Sequence, residues 1–115
     1  MRATEDVERQ LRKALLAGTT RLVQTRLDGG TLAWVEYHGK RFHVAVDPMR
    51  GGLIESVVHE LIHAVYAEEL SVWGELEEAI VLAVEREVMA AINDSRRRVR
   101  WWRDAIARKL VKEGK

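Results

Sequence analysis

The sequence predicts a single α+β domain in which a three-stranded antiparallel sheet packs with about four helices. Two observations carry this prediction. Residues 20–47 alternate apolar and polar side chains between turn signals, whereas most of the remaining chain repeats apolar residues at helical spacing. The 115 residues are 47% hydrophobic and 32% charged, which suffices for one modest core.

The elements follow in order along the chain. Residues 1–19 predict an N-terminal helix, since Thr4 can cap its start and Gly18 its end. Residues 20–47 predict a β-meander with a turn at Asp28-Gly29-Gly30. Three further helices are predicted: a motif helix at 52–70, an acidic helix at 75–93 and a basic C-terminal helix at 95–112.

Composition excludes several classes of protein. With no cysteine there is no disulfide framework, thiolate zinc site or cysteine nucleophile. The sequence shows neither a signal-peptide pattern nor an apolar run long enough for a bilayer, so we expect a cytoplasmic protein without a membrane partner. Residues 94–115 hold nine basic and three acidic residues, whereas the other residues hold ten basic and fifteen acidic ones.

The motif helix contains His59-Glu60-Leu61-Ile62-His63, an H-E-x-x-H pattern. Residues four apart lie on the same face of a helix, so both imidazoles can reach one ion. Glu60 is rotated by about 100° from His59, and it can approach a metal-bound water without being a ligand. The pattern therefore predicts a metal site with an adjacent base.

The third ligand has to be a carboxylate. A catalytic zinc normally takes three protein ligands, and the remaining histidines, His38 and His43, lie upstream in the predicted sheet. Among Glu75, Glu77 and Glu78 at the start of the next helix, helical spacing directs Glu77 along the apolar face, where an unpaired carboxylate is costly. Glu77 is therefore the first choice, and Glu78 is the second because a helix start is easily misplaced by one residue.

The motif and the following Glu77-Glu78-Ala79-Ile80 resemble the zincin metallopeptidases of gluzincin type, whose third ligand is a Glu. The chain is most similar to small H-E-x-x-H metallopeptidases of phages and bacteria, and more remotely to ImmA/IrrE-like peptidases. The resemblance covers roughly residues 50–92.

This resemblance implies a compact zincin-like domain that hydrolyses peptide bonds in a peptide or protein substrate. One Zn²⁺ per chain would be bound by His59, His63 and Glu77, and Glu60 would be the general base on the metal-bound water.

Three further residues are candidates around this centre, each with a structural alternative. Tyr66 and His43 could supply a second electrophile or contact the substrate, or they could simply pack. Glu55, one turn before His59, could orient that imidazole, or it could be a solvated charge.

The C-terminal helix carries Ser95-Arg-Arg-Arg-Val-Arg-Trp-Trp-Arg103. Clustered arginines with aromatic residues can bind nucleic acid, which makes a non-catalytic nucleic-acid- or protein-binding module the alternative function. We favour internal packing, with Trp102 in the core and the arginines facing the acidic helices. The apolar face of this helix could also form a homodimer.

Overall fold

A computed structural model describes residues 2–18, 20–27, 30–37, 40–46 and 53–112. Helix α1, Arg2–Leu16, begins the fold and turns one face towards the core, where Leu11, Ala14 and Leu15 are buried. Acidic and basic residues at its two ends complement the helix dipole.

The sheet follows α1. Strands β1 (Arg21–Leu27), β2 (Gly30–Tyr37) and β3 (Lys40–Val46) pair in an antiparallel meander. A fourth strand, β4 (Leu110–Lys112), pairs in parallel with β1, and the order across the sheet is β3-β2-β1-β4.

The described residues from 53 to 109 are mostly helical. Their elements are α2 (Leu53–Val65), α3 (Ala67–Ser71), a 3-10 turn (Gly74–Leu76), α4 (Glu77–Asn93) and α5 (Arg96–Lys109). Helix α2 has a central position, because it contacts α1, α4 and α5 as well as β2 and β3. Its buried side chains join those of the other elements in one core that includes Leu22, Val35, Val57, Val58, Leu61, Val81, Val88, Ile92 and Trp102. The motif helix is thus held on several sides.

The predicted fold class was wrong in its sheet. The three antiparallel strands of the prediction are joined by β4, which makes the sheet mixed. Residues 110–112 were assigned to the C-terminal helix, but they leave it and pair with β1. The edge of β1 offers unpaired backbone groups, and an extended segment that lies beside it can pair with them. Which segment lies there depends on tertiary packing, so the sequence prediction missed the pairing.

The predicted helix count was also wrong. The described residues are mostly helical and form five α-helices, since the segment predicted as a short connection after α2 forms α3. Ala67, Glu68 and Glu69 favour a first helical turn, and Leu70 anchors the short helix in the core.

Among the described residues, no helix is both long enough and apolar enough to cross a membrane. The cytoplasmic location stays a prediction.

Candidate metal centre

Helix α2 presents His59 and His63 on the face that meets α4. Their side chains are 18% and 14% exposed, and their ring centroids lie 5.0 Å apart in an edge-to-face arrangement. The opposite side of α2 is fully buried through Val57, Val58 and Leu61. The apolar residues of the motif helix therefore fix the direction in which both imidazoles point.

The Nε2 atoms of the two imidazoles meet at one carboxylate. Glu78, in the first turn of α4, places Oε1 2.9 Å from Nε2 of His59 and Oε2 3.1 Å from Nε2 of His63. The lone pair of a neutral imidazole and a carboxylate oxygen repel each other at this distance, so a proton or a cation has to lie between them. Two such contacts on one carboxylate indicate a site for positive charge.

His59, His63 and Glu78 form a group that could hold a metal ion. One ligand atom from each residue lies within 4.8 Å of the other two. Ligand atoms about 2.0–2.1 Å from a tetrahedral zinc lie roughly 3.3 Å from one another. The observed contacts of 2.9 Å and 3.1 Å are close to that separation.

The Nδ1 atoms of both imidazoles contact other carboxylates of α4. Nδ1 of His59 lies 2.6 Å from Oε1 of Glu85, and Nδ1 of His63 lies 2.7 Å from Oε2 of Glu77. In a neutral imidazole, a proton on Nδ1 that is donated to a carboxylate leaves the Nε2 lone pair available to a metal. Glu77 and Glu85 thus orient both rings so that the Nε2 atoms face Glu78.

Glu85 is in turn linked to Glu55 on α2. Burial raises the pKa of Glu85, the hydrogen bond and charge of His59 oppose that rise, and the charge and hydrogen bond of Glu55 add to it. For Glu55 the sequence left two alternatives, an acceptor that orients His59 or a solvated charge. The contact with Nδ1 of His59 is made by Glu85, and Glu55 interacts with Glu85.

Glu60 lies beside the Nε2 atom of His59. Its Oε1 atom is 4.0 Å from that nitrogen, and its side chain is 17% exposed. The carboxylate of Glu60 therefore lies farther from Nε2 of His59 than the carboxylate of Glu78 does.

Glu78, which was predicted as the second choice for the third ligand, contacts the Nε2 atoms of both His59 and His63. The first choice, Glu77, contacts His63 from the other side of its ring. Helical spacing does direct Glu77 towards the buried side of α4, but Glu77 is the first residue of the helix and is 35% exposed. The ring nitrogen that each carboxylate reaches depends on the orientation of the imidazole, which spacing alone does not specify.

The other predicted residues lie elsewhere. The Tyr66 side chain lines an apolar cavity with Val7 and Trp73, and its pKa is raised by burial and by the charges of Glu69 and Asp6. Its neighbours are thus residues outside the metal centre. His43 pairs with Trp34 in the sheet register. The side chain of His43, and all of His38, lie outside the described residues.

Glu85 is the residue of this site that the sequence prediction missed as a partner of histidine. It lies seven residues after Glu78, so both carboxylates lie on one face of α4 two turns apart. His59 and His63 likewise lie on one face of their helix, four residues apart. The two spacings together are the sequence signal that Glu85 can contact a histidine.

Comparisons of this chain with protein-family models, with curated proteins and with solved structures gave no match. Function therefore has to be inferred from the side chains of α2 and α4.

Proposed function

We propose that this protein is a zinc-dependent hydrolase that cleaves peptide bonds, with His59, His63 and Glu78 as the metal ligands. The observation that carries the proposal is the orientation of the two imidazoles. Both Nε2 atoms converge on Glu78, while both Nδ1 atoms are held by carboxylates. A pair of histidines that only packed on a surface would not require this arrangement on both sides of both rings.

The charge balance supports a cation at this position. Three carboxylates of α4, those of Glu77, Glu78 and Glu85, lie within 3.1 Å of the imidazole nitrogens. Like charges repel one another, and a divalent cation would offset that repulsion. Two imidazole nitrogens with one carboxylate suit zinc, whereas calcium and magnesium take oxygen ligands.

A zinc ion bound here would lower the pKa of a coordinated water towards about 7 and would polarise the carbonyl of a substrate. Glu60 would accept the proton of the attacking water and pass it to the leaving amine, because a carboxylate beside Nε2 of His59 is within reach of both groups. Glu77 and Glu85 would keep the imidazole rings oriented during the reaction.

The sheet provides a way to hold an extended substrate. Among the described strands, β3 is one of the two outer strands in the order β3-β2-β1-β4, and α2 packs against it. An extended peptide can add to an outer strand through main-chain hydrogen bonds. We therefore expect the substrate to be a peptide or a protein segment that lies along β3 beside the motif helix.

Zinc content and hydrolysis, measured on the same preparations, test the proposal. Wild-type protein should bind about one zinc per chain and hydrolyse a mixture of unstructured peptides. Glu60→Gln should keep the zinc and lose hydrolysis by about 10²- to 10⁴-fold, because only the base is removed. His59→Ala should lose both, whereas the exposed Glu87→Gln on α4 should lose neither.

The outcomes separate the parts of the proposal. Unchanged hydrolysis in Glu60→Gln would exclude this residue as the base. Zinc binding without hydrolysis of any peptide in wild-type protein would leave a metal-binding protein and contradict the enzymatic part.

A further inference from the structure

Helix α5 has two faces of opposite character. One face is buried in the core through Trp102, Ala105 and Ile106. The rest of the helix exposes five arginines to solvent, namely Arg96, Arg97, Arg100, Arg103 and Arg108. These five residues form the arginine face of α5.

The tryptophans next to these arginines are used inside the protein. Trp102 is fully buried and donates its Nε1–H to Oε2 of Glu8 at 3.1 Å. Trp101 packs edge-to-face against Trp102, and the Arg12 guanidinium lies 4.3 Å from the centroid of its ring. Trp102 is therefore not free to stack on bases, and Trp101 is half-buried with a guanidinium beside its ring.

Among the described residues, no carboxylate forms an ion pair with an arginine of the arginine face, whereas Arg9, Arg12 and Arg98 each pair with a carboxylate. Arg96 and Arg100 are four residues apart and Arg100 and Arg103 three, so these like charges are neighbours on the helix and repel each other. A polyanionic partner would relieve this repulsion.

We propose that the arginine face of α5 binds the phosphate backbone of double-stranded nucleic acid, independently of its base sequence. A guanidinium binds a phosphate through two parallel hydrogen bonds and is weakly hydrated, so arginine suits this contact better than lysine. At a rise of about 1.5 Å per residue, Arg96 to Arg108 span roughly 18 Å of helix. A duplex presents one phosphate per about 1.7 Å of its axis, so several phosphates face a helix of this length.

The binding surface is local, since the whole chain carries a net charge of only +1. The acidic side chains of α2 and α4 repel phosphates, which leaves α5 as the side to which a duplex would be attracted. The surface is independent of the proposed hydrolysis, because none of its residues contacts the metal centre in the described part of the chain.

Fluorescence anisotropy of a labelled DNA duplex of arbitrary sequence, measured at several salt concentrations, tests the proposal. Two triple variants remove three positive charges each, one from the arginine face and one from exposed positions elsewhere. The test variant is R96Q/R100Q/R103Q, and the matched control is R9Q/K13Q/R86Q.

If all five arginines neutralise a phosphate, wild-type affinity should fall about 500-fold between 50 mM and 200 mM salt. The test variant should bind more weakly at low salt, and its affinity should fall only about 12-fold over the same range because two contacts remain. The control variant should keep the wild-type salt dependence. Unfolding by urea confirms that both variants are folded.

Three results would overturn the proposal. One is an absence of duplex binding by the wild-type protein at 50 mM salt. Another is an equal loss of affinity in the two triple variants, which would reflect net charge rather than a surface. The third is equally tight binding to poly-glutamate or to anionic vesicles, which would point to acidic proteins or to membranes instead of nucleic acid.

Discussion

The carboxylate of Glu8 on α1 and the carboxylates of α4 have opposite charge balances. Glu8 is 4% exposed, and it accepts hydrogen bonds from Arg12 at 2.7 Å and 3.0 Å and from Trp102 at 3.1 Å. A second guanidinium, that of Arg98, lies 3.7 Å from its other oxygen. At the α2–α4 contact, by contrast, three carboxylates of α4 lie within 3.1 Å of two imidazoles.

Glu8 receives from its own chain the positive charge that a buried carboxylate needs, so its role is to join α1 to α5. The three α4 carboxylates carry more negative charge than the two histidines can offset, and the proposed zinc ion would restore the balance. Removal of zinc and removal of the Glu8 carboxylate test the two sides of this contrast.

Zinc removal should have the largest effect. If zinc is present at about a thousand times its dissociation constant, binding to the folded state alone adds about 4 kcal/mol to the free energy of unfolding. A chelator should therefore lower the stability of wild-type protein in urea by about this amount. His59→Ala should show no response to chelator, and a similar response in that variant would place the zinc elsewhere.

Loss of the Glu8 carboxylate should have the second-largest effect on the free energy of unfolding. Glu8→Ala leaves the Trp102 indole N–H and the Arg12 guanidinium without their partner, which should cost about 3 kcal/mol of unfolding free energy. The exposed Glu5→Ala on the same helix should cost only about 0.5 kcal/mol. Equal costs in urea unfolding would show that the buried carboxylate does not join the two helices.

Substitution of the carboxylates that contact Nδ1 should weaken zinc binding moderately. Glu77→Gln and Glu85→Gln should each raise the zinc dissociation constant about 10- to 100-fold, because the imidazoles lose a charged acceptor but keep their Nε2 atoms. Titration with a competing chelator measures the zinc dissociation constant of each variant. An unchanged constant in both variants would mean that these carboxylates do not orient the rings.

The pH dependence at Tyr66 should be the smallest effect. Burial, with the charges of Glu69 and Asp6, raises its pKa above the ordinary value of 10.0. Above pH 10 the unfolded chain therefore loses this proton before the folded protein does, and the stability contribution of Tyr66 is lost as the pH rises through its folded-state pKa. Wild-type protein should lose more stability above pH 10 in urea unfolding than Tyr66→Phe, and parallel losses would contradict the shift.

The motif helix was predictable because its signal is local. The apolar spacing around His59 and His63 fixes which face of α2 is buried, and α2 forms within the segment predicted for the motif helix. Strand β4 was not predictable in this way. Its pairing with β1 joins residues that are far apart in the sequence, and three residues carry too little pattern to indicate a strand.

The candidate site was predictable in its residue types but not in its contacts. Helical spacing favoured Glu77 and kept Glu78 as the second choice, and both residues contact His63 in the structure. Which of them faces the Nε2 atoms depends on the crossing of α2 with α4 and on the orientation of the imidazole. The helix crossing and the imidazole orientation both depend on tertiary packing. Glu85 contributes to the second, because it contacts Nδ1 of His59.

A crystal structure of zinc-soaked protein with anomalous diffraction tests the central claim most directly. We expect one zinc peak about 2.0–2.1 Å from the Nε2 atoms of His59 and His63 and about 2.0–2.2 Å from a carboxylate oxygen of Glu78. Glu77 and Glu85 should remain on the Nδ1 atoms. A zinc ion bound by Glu77 in place of Glu78, or no zinc peak between α2 and α4, would contradict it.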